Sequence, residues 1–237
     1  MKSYDVVIIG GGPSGIVTGA TAKKLNPDKS FLMIKKGEKG LVPCGIPYMF
    51  GALDDISQNE MGPAPFIKAG GEVLVDEVNG VDTGAKTVTT AGGREIGWKR
   101  LIFATGSDPL VPTFLPGHDL EGVEYVRKDY GYMDDMHERA NACDSIAIIG
   151  AGFIGCEVAE QLAGKTGRRV YLIEALDHCL NRAFSEDFAS RADEVMREAG
   201  VEVITGQKAS EITGDGGRVS GVRLEDGREL PVEMVIC

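Results

Sequence analysis

Val6-Val7-Ile8-Ile9-Gly10-Gly11-Gly12-Pro13-Ser14-Gly15 reads as the end of a buried strand, a tight turn and the start of a helix. The chain repeats the pattern as Ile146-Ala147-Ile148-Ile149-Gly150-Ala151-Gly152-Phe153-Ile154-Gly155. Both stretches match G-x-G-x-x-G directly after an apolar run. One match alone is weak, because glycine-rich hexapeptides arise by chance, but two in the same strand–turn–helix setting are specific. Each glycine has a physical task. The first permits the tight turn, the second lets backbone approach a pyrophosphate, and the third lets helix pack on strand. The helix N-terminus adds N–H groups that suit phosphate oxygens. Two such cradles in one chain imply two dinucleotides and electron transfer between them.

Composition narrows the partners. The chain has 237 residues, 43% of them hydrophobic and 26% charged, which suits ordinary globular domains. Its net charge of −11 argues against nucleic acid over any large surface. The start, MKSYDVVIIGGG, holds too short an apolar run for a secretory signal. No stretch approaches the roughly 20 apolar residues of a membrane helix, so no membrane partner is expected. The cysteines, Cys44, Cys143, Cys156, Cys179 and Cys237, form neither C-x-x-C nor C-x-x-x-x-C. An odd number at wide spacing fits reduced thiols in a cytoplasmic protein better than a disulfide framework or a zinc site.

The two halves follow one plan. In the first, a strand over 4–9 enters the turn, a helix follows over 14–25, and 31–34 is the next parallel strand. Further strands are expected at 72–75, 86–90, 95–97 and 101–104, the last running into Ala104-Thr105-Gly106. In the second, 145–149 feeds the turn, and a helix over 153–163 leads to a strand at 170–173. An amphipathic helix over 186–199, a strand at 201–204, a hairpin of 218–224 with 229–232, and a last strand at 233–237 complete it. Alternating strands and helices imply right-handed parallel crossovers. The expected class is α/β, with two Rossmann-like dinucleotide-binding units that carry parallel sheets and hairpin insertions. The proline-rich stretch 108–119 marks the expected division into 1–115 and 116–237. In this repeat Leu101-Ile102-Phe103 corresponds to Val235-Ile236-Cys237, and only the first copy continues into a turn. The second reads as a strand cut short, the mark of a truncated chain.

These residues resemble the flavin-dependent pyridine nucleotide–disulfide oxidoreductases along essentially the whole chain. The resemblance rests on both glycine turns, Ala104-Thr105-Gly106, Glu157 after the second turn, and Asp226-Gly227 before the last strand. It implies FAD in the first unit and NAD(P)H in the second. Leu41-Val42-Pro43-Cys44-Gly45-Ile46-Pro47-Tyr48 is similar to the single-cysteine branch of coenzyme A disulfide reductases, NADH oxidases and peroxidases, and persulfide and polysulfide reductases. Three departures stand out. The acidic residue that ends the second strand of the FAD unit in that family is replaced by Lys35 and Lys36, cations suited to a phosphate. Pro13 takes the place of the histidine that oxidases and peroxidases of the branch carry in the first turn, which weighs against peroxide chemistry. The family's further Gly-Asp flavin motif and its C-terminal dimerisation domain are absent from these residues, so a homodimer is expected of the full-length parent.

The resemblance assigns the cofactor-binding positions Gly10, Gly12, Pro13, Ser14, Gly15, Lys35, Lys36, Ala104, Thr105 and Gly106 to FAD. It assigns Gly150, Gly152, Phe153, Ile154, Gly155, Glu157 and Glu174 to NAD(H). Glu174 ends the strand after the second turn. A carboxylate there accepts from ribose hydroxyls and repels a 2′-phosphate, so NADH is preferred over NADPH; the alternative is a solvated acid at a strand end. Arg168 and Arg169 lie at the wrong end of that strand for a 2′-phosphate. Cys44 is the expected catalytic residue. Pro47 suits the first turn of a helix, whose N-terminus would favour the thiolate of Cys44; a buried packing cysteine is the competing reading. Lys23 and Lys24 stand where coenzyme A disulfide reductases place cations for their substrate, although lysines at a helix end are commonly just solvated. The implied activity is NADH-driven reduction of a small-molecule disulfide, persulfide or polysulfide, coenzyme A disulfide among them, through Cys44. Dioxygen reduction and a non-catalytic nucleotide-binding module are the alternatives.

Overall fold

The computed structural model describes residues 1–164 and 167–237. It comprises two compact units that are discontinuous in sequence. The first is Met1–Pro43, Asn59–Asp108 and Lys128–Tyr130; the second is Cys44–Gln58, Pro109–Arg127 and Gly131–Cys237.

The first unit is built on a six-stranded sheet in the order Glu72–Val75, Phe31–Lys35, Lys2–Ile9, Glu95–Phe103, Thr87–Thr90, Val78–Asp82. The first four strands pair in parallel, and Thr87–Thr90 pairs antiparallel with both of its neighbours. Its central strands are apolar without alternation because both faces are covered. Val7, Ile9, Leu32 and Ile34 enter one core with Val88 and Ile96, while Ile8, Phe31 and Met33 enter the other. On that second face they meet Ile16 and Ala20 of helix Pro13–Leu25 and Phe66 of helix Ala64–Lys68.

The second unit has a parallel sheet in the order Glu202–Ile204, Arg169–Ile173, Ser145–Ile149, Met234–Ile236, Val123–Glu124. An antiparallel sheet of Ala209–Asp215, Arg218–Leu224 and Glu229–Pro231 packs on it, with Ile212, Val222 and Leu224 against Ala147, Tyr171 and Val235. Helix Phe153–Ala163 buries Cys156, Val158, Ala159 and Leu162. Among the described residues no helix is long and apolar enough to cross a membrane.

Apart from Val123–Glu124, the parallel strands lie where the pattern of residues puts them, as do helices Pro13–Leu25, Phe153–Ala163 and Glu186–Glu198. Other features differ. The two strands expected at 95–97 and 101–104 are one strand, Glu95–Phe103, paired to Lys2–Ile9 along its length. Helix Tyr130–Asn141 and strands Val78–Asp82 and Ala209–Asp215 were not anticipated. The proline-rich stretch past Asp108 is not a free linker, because Leu115 is buried in the second unit and the Pro116 carbonyl accepts from the Ile212 N–H at 2.9 Å. A single division at 115/116 also misplaces Cys44–Gln58, which packs within the second unit through buried Ile46, Met49 and Phe50.

Candidate functional site

Gly10 ends strand Lys2–Ile9 with φ 116°, a conformation that strains any residue with a Cβ. Its N–H donates to the Ile34 carbonyl at 2.8 Å. A Cβ on Gly10 would lie 2.0 Å from the Ala104 carbonyl oxygen, and one on Gly15 would lie 2.1 Å from the carbonyl oxygen of Gly10. Gly10, Gly15 and Ala104 are therefore pressed together, with the Ala104 N–H donating to Ile9 at 2.8 Å. Gly12 is the opposite case, because nothing lies within 4 Å of where its Cβ would point. Helix Pro13–Leu25 starts beside that space with no side-chain cap and no acidic residue in its first turn. Its first N–H groups, from exposed Ser14 onward, fit an anionic group such as a pyrophosphate.

Lys35 follows Ile34 directly and is buried. Its stem fills the space beside Gly11, where a Cβ would lie 2.8 Å from the Lys35 Cβ, and its Nζ donates to the Glu38 carbonyl at 2.8 Å. Burial pushes its ammonium below the ordinary lysine value, opposed by Glu60 and Glu38. Lys36 is exposed and pairs with Glu77 at 3.0 Å. Lys23 donates to the carbonyls of Pro27 and Lys29, both at 2.7 Å, so its ammonium closes the end of the first helix. Lys24 is exposed one residue further on.

The second turn repeats this geometry. Gly150 has φ 104° and donates to the Ile173 carbonyl at 2.8 Å. A Cβ on Gly155 would lie 2.0 Å from the Gly150 carbonyl oxygen, and Gly152 again faces open space. Glu174 occupies the place that Lys35 holds in the first unit. Its Oε2 accepts the Ala151 N–H at 2.8 Å and its Oε1 accepts the Leu176 N–H at 2.9 Å. A cleft of about 370 Å³ opens between Ala151, Gly152 and Phe153 on one side and Glu174, Leu180, Asn181 and Arg182 on the other. The last three residues were missed by sequence reasoning; their signal is their place in the loop after the strand-end acid. Arg182 brings a positive charge to the cleft wall. Arg168 and Arg169 are occupied elsewhere, by the Cys143 carbonyl at 3.0 Å and by Glu202 at 3.3 Å. Ile154 and Glu157 are exposed on the first turns of the helix.

Cys44 is exposed, whereas Cys143, Cys156 and Cys179 are buried and Cys237 is half-buried. It lies in a 3₁₀ turn, Pro43–Gly45, and the next element, Pro47–Phe50, is another 3₁₀ turn. The helix expected after Pro47 is only this short 3₁₀ turn, not an α-helix. The reason is a contact distant in sequence. Gly51 is pressed against helix Phe153–Ala163, where a Cβ would lie 2.6 Å from the Gln161 carbonyl oxygen. The Ala52 N–H then donates to Gln161 Oε1 at 2.9 Å, which turns the chain away before a second helical turn can form. Phe50 packs edge-on against His137 at 6.2 Å. The segment after Cys44 is thus fixed to the same helix that begins at the second glycine turn.

Residues 4–237 match the family described as pyridine nucleotide-disulphide oxidoreductase. The chain is 31% identical to an NADH oxidase of Methanocaldococcus jannaschii over 97% of the chain and 53% of that protein. It is 33% identical to a CoA-dependent NAD(P)H sulfur oxidoreductase of Pyrococcus abyssi over 81% of the chain and 44% of that protein. An NAD-dependent persulfide reductase from A. fulgidus shares the fold with a TM-score of 0.88 at 27% identity, over 98% of this chain and 45% of that one. The chain spans about half the length of the curated relatives it matches. With a family match from residue 4 to residue 237, the chain belongs to the pyridine nucleotide-disulphide oxidoreductase family.

Proposed function

We propose that this chain carries the nucleotide-binding and redox-cysteine parts of a FAD-dependent NADH oxidoreductase that reduces a disulfide, persulfide or polysulfide. The first cradle takes FAD and the second NAD(H). The observation that carries the reading is an exposed Cys44 on a segment bonded to the helix of the second cradle, in a chain with two such cradles. The bound cofactors supply two-electron transfer.

The chain's own residues do the rest. Gly12 and Gly152 leave room for a pyrophosphate, and the helix starts at Pro13 and Phe153 present N–H groups to it. Glu174, fixed to Ala151, accepts from the ribose hydroxyls of NADH and repels a 2′-phosphate. Lys35 places a cation beside the first cradle, where a carboxylate would repel phosphate. Cys44 is the nucleophile. Its thiolate attacks one sulfur of the substrate, the substrate S–S bond breaks, and the departing thiolate leaves Cys44 in a mixed disulfide. Two electrons then cleave that bond, returning Cys44 as thiolate and releasing the second half of the substrate. Lys23, whose ammonium is held by two carbonyls, is a weaker candidate for a coenzyme A phosphate than Lys24.

A comparison of acceptors tests this reading. With FAD and NADH present, wild type should reduce coenzyme A disulfide or polysulfide, and Cys44→Ser should lose that activity while any slow dioxygen reduction persists. Sulfur-acceptor turnover that survives the substitution unchanged would remove Cys44 from the mechanism. Dioxygen reduction in both proteins, without sulfur reduction in either, would favour the NADH oxidase reading that the M. jannaschii relative suggests.

A further inference from the structure

Helix Glu186–Glu198 buries Ala189, Asp193 and Met196, an i, i+4, i+7 face on which the helical period calls for apolar residues. Asp193 is only 4% exposed, and a buried carboxylate is costly unless it is well partnered. Its partners lie on the loop that walls the second cradle's cleft. Oδ1 accepts the Cys179 N–H at 2.7 Å. Oδ2 accepts from His178 Nδ1 at 2.8 Å, since an ionised carboxylate only accepts. Leu180, Asn181 and Arg182 follow directly in the chain and line the cleft, and Asp193 stands behind them.

The same loop is held from the front. The Leu180 N–H donates to the Ala151 carbonyl at 2.8 Å, and the Leu176 N–H donates to Glu174 at 2.9 Å. Phe184 meets Phe153 edge-on at 5.9 Å. Between the rear and front bonds Leu180 sits at φ 55°, a left-handed conformation that strains a leucine. Such strain persists only where the surroundings over-determine it. The rear and front bonds act on consecutive amides, those of Cys179 and Leu180, so losing the first lets the strain open the second.

We infer that Asp193 is a positioning residue for nucleotide binding: from behind the wall it holds Leu180, Asn181 and Arg182 in the conformation that receives NADH. This role rests on the assignment of that cleft to NAD(H). A wall already in place spares the nucleotide the cost of ordering it. Without the carboxylate the wall is in place for only a fraction of the time, and the apparent dissociation constant rises by the reciprocal of that fraction. Cys179 is fully buried, so its N–H without an acceptor adds to the drive toward an open loop, where water satisfies it. Asparagine at this position keeps an oxygen for the Cys179 N–H, and its amide can donate to the other tautomer of His178. Leucine offers neither.

The test titrates NADH into wild type, Asp193→Leu and Asp193→Asn, and follows amide exchange residue by residue by NMR with and without saturating NADH. Asp193→Leu should bind NADH at least about tenfold more weakly, as expected for a wall in place no more than about a tenth of the time. Its Leu180 amide should exchange freely alone and regain protection at saturating NADH, whereas in wild type that amide should be protected in both states. Asp193→Asn should keep most of the affinity and the protection. If the leucine variant frees the Cys179 amide alone, with Leu180 protected or NADH affinity unchanged, the inference is overturned. An asparagine variant as weak as the leucine one overturns it too. Should Asp193→Leu fail to fold, His178→Ala removes one of the two rear bonds through a side chain that reaches solvent. It should weaken NADH binding and speed Leu180 exchange, and unchanged NADH affinity overturns the role. NADH uptake by wild type is read first. Its absence overturns the cleft assignment, whereas Leu180 exchange in the variants judges the anchor whatever the cleft binds.

Discussion

The two glycine turns are nearly the same backbone and hold different company. In both, the first glycine has a positive φ and donates at 2.8 Å to the last apolar residue of the neighbouring strand. In both, the helix is capped by a glycine of almost identical dihedrals, −80° and −175° at Gly12 against −77° and −174° at Gly152. The difference begins one residue past the neighbouring strand's apolar run. Lys35 sends its stem under the turn, and position 11 is glycine because the Lys35 Cβ occupies the space a side chain would need. Glu174 instead reaches the backbone N–H of position 151, and that position carries a Cβ as alanine. One residue type thus explains the other within each turn. The shared fingerprint leaves the same open space at Gly12 and Gly152, and the residue after each strand's apolar run fixes the charge beside the turn.

The sharpest way to break this comparison is at the first glycine. Gly10→Ala combines a strained φ with a Cβ 2.0 Å from the Ala104 oxygen. It should cost about 3–5 kcal/mol, backbone strain and overpacking together. Gly150→Ala carries the strain without the collision, since nothing lies within 4 Å of that Cβ, and should cost about 1–2 kcal/mol. Urea unfolding of the two variants measures the gap, and equal losses would show that the Ala104 contact does not constrain the turn.

A smaller effect is expected at Glu174. Removing the carboxylate leaves the N–H groups of Ala151 and Leu176 without their acceptor. Glu174→Ala should destabilise the second unit by about 2 kcal/mol, a range set by hydrogen bonds to charged groups. Denaturant midpoints followed by a probe in that unit would reveal it, and a loss below a few tenths of a kcal/mol would mean the carboxylate is not holding the turn. Lys35 should matter least to folding. Lys35→Met keeps the stem against Gly11 and gives up only the bond to the Glu38 carbonyl, a loss of about 1 kcal/mol. A much larger loss would place more of the first turn's stability in that ammonium than its bond to the Glu38 carbonyl accounts for.

What the sequence disclosed follows the same division. Strands and turns whose physics is local were legible: unbroken apolar runs buried on both faces, and glycines required by turn and packing. Elements stabilised from a distance were not. Helix Tyr130–Asn141 is polar overall and owes its place to Met133, Met136 and Ala140, whose i, i+3, i+7 spacing was the available signal. Strand Val78–Asp82, at the sheet edge, holds a glycine and two polar residues and forms because Thr87–Thr90 offers it a partner. The cysteine segment was misread for a related reason. Pro47 is a sound helix-start signal, but Gln161, more than a hundred positions away, ends the turn at Gly51. Glu174 and Lys35 were legible as residues, and only the sheet register showed that they occupy one position twice.

The central claim is that this single position assigns a nucleotide to each turn, and it is tested most directly by titrating NADH and NADPH into wild type and Glu174→Lys. Wild type should bind NADH at least about tenfold more tightly than NADPH, a difference of ~1.4 kcal/mol, and the variant should lose or invert that preference. Equal affinities in wild type, or a preference that survives Glu174→Lys unchanged, would contradict the account.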